Sequence, residues 1–545
     1  MPLTNVQIAP GFNKQVTETG AEGQWTDGDF VRFRYGSPEK IGGWQQITSD
    51  TFIGAAREQL VYADLDGRRY AAIGTNKVLL IYYEGAFYDI TPLDTALTSC
   101  TFDTTDTSAT VTVNKSGHGL SAGDLFTFTS VTPPTGAGYV ASDFTTNTFE
   151  VITSSANSFT ITMASAATGS TSGTGSATVN PYVKPGPVNA TAGYGWGTGT
   201  WGRGTWGSAA TTSNVIIDPA SWSLDNFGQI LIATIKNGKT FSWNPIATDA
   251  NALTTRATIV SGAPTKSVMS IVSDRDRHLV ILGTETTIGD DTTQDKMFIR
   301  FSDQESLSDY TPTSVNTAGT FRLDSGVKIV GAAKGKDYIL ILTDTSAYIM
   351  QFVGPPFTFS IRQVGSNCGL IGQHALKYVN GRVWWMGQAG GFFVFDGTVK
   401  SVPCLVEDFV FTNTGNNLGI NYDAGEQIYA GLNHLYEEVN WFYPKNGSDN
   451  VDRVVTYNYT ENAWTTGSLA RTTFHDATLF DHPYATEFNK TGTPTFPTIQ
   501  GVTNTNGAST YYGHEIGVDQ VDSVGNKTAI PAFIQSGDFD LSVGG

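Results

Sequence analysis

The sequence predicts an all-β protein: an irregular β-propeller of about six blades with an inserted small β-barrel-like module. Three observations predict it. Charged residues make up only 15% of the chain, and Thr, Ser, Gly, Tyr and Phe are abundant, which is typical of short strands joined by tight turns. Pairs of apolar strands recur at a spacing of roughly 45–60 residues, near the period of propeller blades. Residues 94–184 break this pattern with a Thr/Ser-rich composition poor in Lys and Arg.

Each repeat consists of an apolar strand, a turn and a second strand that ends near an aromatic residue. Gln229–Ala233, the turn Asn237–Gly238 and Thr240–Trp243 form one example. Units are expected to start near residues 53, 222, 267, 327, 375 and 420. A blade buries its faces only against its neighbours, so such units must close into a ring. Two stacked β-sandwiches are the structural alternative.

The expected organisation has five parts. Residues 1–93 are the N-terminal part of the propeller body, 94–184 the inserted β module, 185–214 a Gly/Trp linker, 215–475 the propeller body and 476–545 a loop-rich C-terminal β segment. Within the insertion, Leu125–Thr129 and Ser158–Thr162 alternate with the period of two that indicates strands. We expect this module to fold separately, on the outer surface.

Charge and cysteine content exclude several classes of protein. The 32 basic and 50 acidic residues give a net charge of −18, unlike a protein that grips DNA tightly. The three cysteines lack CxxC spacing, which argues against a disulfide scaffold or zinc site and fits assembly in a reducing cytoplasm. The sequence shows neither a signal peptide nor an apolar run of the ~18–20 residues that span a bilayer.

Candidate catalytic and metal-binding residues all have a simpler interpretation. His475 and His482 would form a metal site or a turn with satisfied polar groups. The acidic cluster Asp290, Asp291 and Asp295 would bind calcium or form a solvated loop, and its spacing is not that of an EF-hand. The sequence contains neither a GxSxG nor a Walker A motif. We therefore expect no catalytic, cofactor or metal site.

A carboxylate pair beside an aromatic residue raises the possibility of a sugar site. Glu437 and Glu438 lie near Trp441, and glycoside hydrolysis requires two carboxylates across the scissile bond. Acidic residues at strand ends are usually just exposed to solvent, which is the simpler interpretation.

Four stretches, in this order, carry a resemblance to a known family: Gly23–Trp44, Trp222–Gly228, Phe301–Pro312 and Tyr348–Cys368. Together they resemble the tail nozzle or tail-hub (packaged-DNA stabilisation) proteins of short-tailed bacteriophages. The resemblance covers most of residues 1–93 and 193–545 and leaves out the insertion. No stretch is a chemical fingerprint by itself; the order of several long stretches carries the resemblance.

The resemblance implies a structural, non-enzymatic protein of the virion tail, assembled in the cytoplasm of the bacterial host. Family members form a homo-hexameric ring below portal and adaptor and contact tail fibre or tail needle proteins. Double-stranded DNA is retained in the channel and leaves through it without sequence-specific binding. Members usually continue past a segment such as FIQSGDFDLSVGG, so a β element near this point is expected to lack its partner. A receptor- or glycan-binding tail spike or fibre component and a polysaccharide-degrading enzyme are the alternatives.

Two groups of residues are candidate interfaces. Trp196, Trp201 and Trp206 fall five apart, a spacing that fits neither helix nor strand. They would pack on their own propeller, form a subunit interface or stack on single-stranded nucleic acid, for which only Arg203 supplies a nearby charge. Arg32 and Arg34 share one strand face by alternation, as a solvated face or a contact with a neighbouring tail protein.

Overall fold

The protein is described from a computed structural model, which covers residues 8–190, 218–245, 253–413, 418–501 and 506–538. Strands dominate these ranges, which confirms the all-β prediction. The helices within them are short: the α-helices Ala141–Thr145 and Glu407–Phe411, and the 3-10 helices Glu18–Gly20, Asp291–Thr293, Tyr422–Gln427 and His434–Tyr436. No helix of this described part is long and apolar enough to cross a membrane.

Six four-stranded antiparallel sheets follow one another along the chain, and each is a meander that we call a blade. Their strands are: blade 1, Ala56–Ala63, Arg69–Thr75, Leu79–Tyr83 and Ala86–Asp89; blade 2, Trp222–Phe227, Ile230–Ile235, Thr240–Trp243 and Thr258–Ile259; blade 3, Met269–Ser273, His278–Leu282, Phe298–Phe301 and Gly319–Arg322; blade 4, Ile329–Lys334, Ile339–Thr343, Ser346–Gly354 and Thr358–Ser366; blade 5, Leu376–Val379, Arg382–Met386, Phe392–Phe395 and Val399–Val402; blade 6, Tyr429–Asn433, Glu438–Tyr443, Arg453–Asn458 and Ala463–Gly467. These six units are those that the repeat pattern predicts.

A seventh blade closes the ring, so the propeller has seven blades rather than about six. Its strands are Thr473–His475, Tyr484–Asn489, Ala508–His514, Trp44–Gln46, Phe52–Ile53, Asp519–Val521 and Lys527–Ala529. The first strand of each blade contacts that of the next, and Thr473–His475 contacts the first strands of blades 6 and 1. The repeat pattern misses this blade because its strands come from both ends of the chain. Residues after 476, expected to follow the propeller, belong largely to it.

Buried tryptophans and polar side chains join neighbouring blades. Trp222 Nε1 of blade 2 donates a hydrogen bond to Thr75 O of blade 1 at 2.7 Å. Its ring lies so close to Gly74 that a Cβ there would come within 2.5 Å of the indole. Asp225 Oδ2 in turn accepts from the backbone N–H of Val272 in blade 3 at 2.7 Å. The stretch Trp222–Gly228 therefore ties three blades together.

The N-terminal segment pairs with the C-terminal end of the described chain. Its first two strands form a small sheet with a C-terminal strand, and the next two form a hairpin that leads into blade 7. The sheet contains Ala9–Phe12, Gln24–Asp29 and Phe533–Ser536, and the hairpin contains Val31–Arg34 and Ser37–Lys40. Phe12 and Phe33 pack in the core of blades 4 to 6. The stretch Gly23–Trp44 is thus part of the closure of the ring.

The insertion forms its own sheet and apolar core between blades 1 and 2. Its strands are Leu97–Thr104, Thr110–Asn114, Leu125–Thr132, Thr148–Glu150, Thr153–Ser154, Ser158–Thr162 and Thr171–Pro181, and Ile499–Gln500 from the blade 7 region pairs with them. The core is rich in phenylalanine, with Phe102, Phe126 and Phe128 at its centre. The module is anchored to the propeller through Arg256, which donates to Tyr182 Oη at 2.6 Å and contacts Asp89.

Candidate functional site

Arg32 lies inside the molecule, not on a solvated strand face. Its exposed fraction is 4%, and its Nη2 and Nη1 donate to Glu515 Oε1 and Oε2 at 2.5 and 3.1 Å. Its Nε is 3.3 Å from Glu438 Oε1, and its guanidinium stacks 3.6 Å from the centre of the Tyr436 ring. The expectation of a solvated face or an outward contact is therefore wrong for Arg32, whose partners come from blade 6 and from the segment that follows the blade 7 strand Ala508–His514.

The electrostatics of this cluster follow from burial. Burial raises the pKa of Glu438 to about 7, although the charge of Arg32 opposes this rise. Burial also lowers the pKa of Arg32, but the Coulombic attraction of Glu438 and Glu515 outweighs it and leaves that pKa above its usual value. Glu515 accepts two further hydrogen bonds, from Gly42 N–H at 3.2 Å and Asn433 Nδ2 at 2.8 Å. We call Arg32, Glu438 and Glu515 the clasp cluster, because it holds the hairpin to the end of the ring.

Arg34 lies at the tip of the same hairpin and is exposed. It shares a face with Arg32 as alternation predicts, since its guanidinium is 5.3 Å from the Tyr436 ring centre. The neighbouring Tyr35 is 83% exposed. A contact with a neighbouring protein stays a prediction for Arg34. The other candidate interface residues, Trp196, Trp201 and Trp206, lie outside the described residues.

The candidate metal and sugar residues have structural partners. Asp290 caps a short 3-10 turn by accepting from Thr292 N–H, and Asp295 pairs with Arg322 at 2.6 Å. Glu438 belongs to the clasp cluster, and Trp441 is fully buried with its Nε1 donating to Ala375 O at 3.1 Å. Neither residue therefore offers an open face to a sugar. Within the described ranges, no group of three His, Cys, Asp or Glu residues is placed to hold a metal ion.

A polar cavity of about 240 Å³ lies on the propeller axis, where the first strands of the blades converge. All seven blades contribute to its wall, and the ionisable side chains on it include Glu58, Asp225, Lys334, His374, Lys377 and His475. Only His475 among these is a candidate from the sequence, as a metal ligand. The sequence does not indicate the others as site residues, because they are single polar residues in apolar strands, far apart in the sequence.

Most ionisable groups of this central cavity are engaged. Lys334 Nζ is 2.7 Å from Asp225 Oδ1 and 3.1 Å from Asp274 Oδ1. His374 Nε2 donates to Trp222 O at 2.9 Å, and His475 Nδ1 donates to Asp476 O at 3.0 Å. Burial, assisted by the charge of Lys377, lowers the pKa of both histidines to about 4, so both are neutral at pH 7.

An exposed apolar corner lies between blades 3 and 4. Phe357, at the tip of the last hairpin of blade 4, is 79% exposed, and Val353 is 55% exposed. Val315, in the loop before the last strand of blade 3, is 93% exposed. The two loops meet where Thr358 Oγ1 donates to Thr317 O at 3.2 Å. We call Val315, Val353 and Phe357 the apolar corner.

Seven radially arranged sheets with a shared axis define the chain as a β-propeller. The sequence matches no protein-family model and no curated protein. Among solved structures, it is similar to the computationally designed Ika8 protein at 9% identity, with 86% of this chain and 99% of that chain covered and a TM-score of 0.34. It is also similar to Hsv2 of Kluyvelomyces marxianus (8% identity, 48% and 67% covered, TM-score 0.28) and to the AfRom2 CNH domain (10% identity, 54% and 93% covered, TM-score 0.28). The propeller assignment rests on the sheet topology, since these likenesses are distant.

Proposed function

We propose that the chain is a structural subunit of a virion tail nozzle. Six copies form a ring below the portal and adaptor, and the ring retains packaged double-stranded DNA and releases it through its channel. The protein acts mechanically in this role and catalyses no reaction. Tail fibre or tail needle proteins are its further partners in the tail.

The observation that carries this proposal is the place of the four family-like stretches in the fold. Gly23–Trp44 closes the ring of blades, and Trp222–Gly228 joins blades 1, 2 and 3. In Phe301–Pro312, Ser302 Oγ accepts from Leu279 N–H at 2.9 Å, and Tyr310 is buried. Tyr348–Cys368 contains the hairpin that carries Phe357. The four stretches thus lie in the scaffold of the propeller, as expected of a protein with a mechanical role.

The apolar corner supports an assembly of copies. Exposed apolar side chains that cluster on one corner favour a protein–protein contact over a solvated surface. A head-to-tail contact that closes by rotation generates a ring. The apolar corner supplies one half of the proposed interface.

The acidic composition supports a conduit that does not adhere to DNA. With a net charge of −18 per chain, a ring of copies would repel phosphates at distances within a Debye length of roughly 8–10 Å. A channel wall with a net positive charge in an assembled ring would contradict this part of the proposal.

Replacing Phe357 by Ser tests the role of the apolar corner. We expect the free energy of unfolding to change by less than about 0.5 kcal/mol, since an exposed side chain is removed. Ring formation, followed by mass photometry over a range of protein concentrations, should weaken at least tenfold. Val524→Ser is the matched control, because Val524 is 80% exposed in a turn of blade 7. Equal assembly of Phe357→Ser and wild type would remove the corner from the interface.

A further inference from the structure

Lys377 differs from the other cation of the central cavity. The ammonium of Lys334 is paired with two carboxylates, whereas no carboxylate oxygen of the described residues lies within 4.0 Å of Lys377 Nζ. Its surroundings offer the Tyr429 ring, whose centre is 6.0 Å away, and more distant charges on Glu58 and Asp476. Lys377 is partly buried, so its ammonium loses part of its hydration without gaining a hydrogen-bonded counter-charge, and this position is suited to an anionic ligand.

The other titratable groups that face Lys377 are held by partners of their own, and none of them forms an ion pair with its ammonium. Glu58 Oε2 accepts from Leu224 N–H at 2.5 Å, and burial raises the pKa of Glu58 well above its usual value. His374 and His475 are neutral at pH 7, because burial lowers the pKa of each to about 4. Asp476 uses Oδ1 to accept from the backbone N–H groups of His434 and Ala477. Burial lowers the pKa of Lys377 itself, which is the expected response of an amine in such a site.

The cavity also has room for a ligand. Its volume of about 240 Å³ greatly exceeds the ~10–15 Å³ that one water molecule requires by the same measure. Glu58, Lys377 and His475 are only partly buried although they lie on the innermost strands, so their polar ends reach open space inside the propeller.

We propose that the central cavity binds a small inorganic oxyanion of the phosphate class, with the ammonium of Lys377 as its charged ligand. The site lies within one chain, between the first strands of its blades. It is therefore independent of the ring proposed above, and a backbone phosphate of double-stranded DNA is not its ligand. The anion would neutralise Lys377, the one cation of the cavity wall that has no ion pair among the described residues. It would lie in the cavity on the propeller axis.

Equilibrium dialysis of the purified full chain with radiolabelled inorganic phosphate, at constant ionic strength and pH 7, tests the proposal. We expect one saturable site per chain. Lys377→Met should weaken binding at least tenfold, and Lys377→Arg, which keeps the charge, should bind within a few-fold of wild type. Lys400→Met is the matched control, because Lys400 forms its ion pair with Asp396 on the surface.

The fold of each variant is checked by far-UV circular dichroism and thermal melting. Lys377→Met removes no ion pair or hydrogen bond of the described residues, so it should remain folded. Two results would overturn the proposal. The first is that wild type shows no saturable binding up to about 10 mM phosphate, which would mean that the cavity holds solvent alone. The second is that wild type and Lys377→Met bind phosphate equally.

Discussion

Arg32 and Lys377 are two cations inside one propeller, and they differ in their partners. Arg32 is bound by Glu515 through two hydrogen bonds and lies 3.3 Å from Glu438, while Lys377 faces a cavity without a carboxylate within 4.0 Å among the described residues. A buried charge with ion-pair partners holds the segments that carry those partners, whereas an unpaired charge reduces stability and leaves its donors available to a ligand.

Replacing Arg32 by Met gives the largest expected effect. The change leaves Glu438 and Glu515 buried without their cation, and breaking a buried pair in this way typically costs about 3–5 kcal/mol. Urea unfolding should show this loss in the free energy of unfolding. Arg34→Met is the control from the same hairpin, and its effect should stay within about 0.5 kcal/mol because Arg34 is exposed. Equal effects of the two changes would mean that the clasp cluster does not stabilise the fold.

The protonation of Glu438 makes the stability of the clasp cluster depend on pH. Its folded-state pKa, about 7, lies above its ordinary value of 4.5, so the folded protein binds this proton more tightly than the unfolded chain. The stabilising contribution is complete below about pH 4.5 and is lost as the pH rises through 7. The free energy of unfolding of wild type relative to Glu438→Gln should therefore fall by roughly 3 kcal/mol between pH 4.5 and 8.

The measurement is a series of urea titrations of both proteins at several pH values. Taking the difference between them removes the contributions of His374, His475 and His514, whose lowered pKa values oppose the trend. A difference that does not vary with pH would contradict the assignment of a raised pKa to Glu438.

Replacing Lys377 by Met has the smallest expected effect, and its sign is opposite to that of Arg32→Met. In phosphate-free buffer at pH 7 the variant should be more stable than wild type by about 1 kcal/mol, because it removes an unpaired charge that is partly buried. The folded-state pKa of Lys377 is lowered, so wild type gains stability as the pH rises toward the pKa of an ordinary lysine. The advantage of the variant should shrink between pH 7 and 10 in thermal melts. A destabilised variant would mean that Lys377 has a partner of its own.

The sequence predicts six of the seven blades well because each is a local meander. The expected starts near 222, 267, 327 and 375 lie within a few residues of the observed first strands, which begin at Trp222, Met269, Ile329 and Leu376. Blade 7 combines strands from residues 44–53 and 473–529, so its pairing is decided by ring closure and leaves no repeat in the sequence. The two ends of the chain pair with each other in blade 7, and this pairing closes the ring.

The buried charges were harder to predict than the strands. Alternation correctly places Arg32 and Arg34 on one face. It cannot show that Glu438 and Glu515 cover one end of that face, since both lie more than four hundred residues away in the sequence. The central cavity could not be predicted from the sequence for the same reason. Glu58, Lys377 and His475 come from three blades, and only the convergence of the first strands on one axis brings them together.

The most direct test of the nozzle proposal is cryo-electron microscopy of the purified protein mixed with portal–adaptor complexes, with mass determination of the product. We expect six copies in a ring below the adaptor, with the apolar corner covered by a neighbouring copy. A protein that stays monomeric or trimeric and does not bind the adaptor would contradict the nozzle proposal.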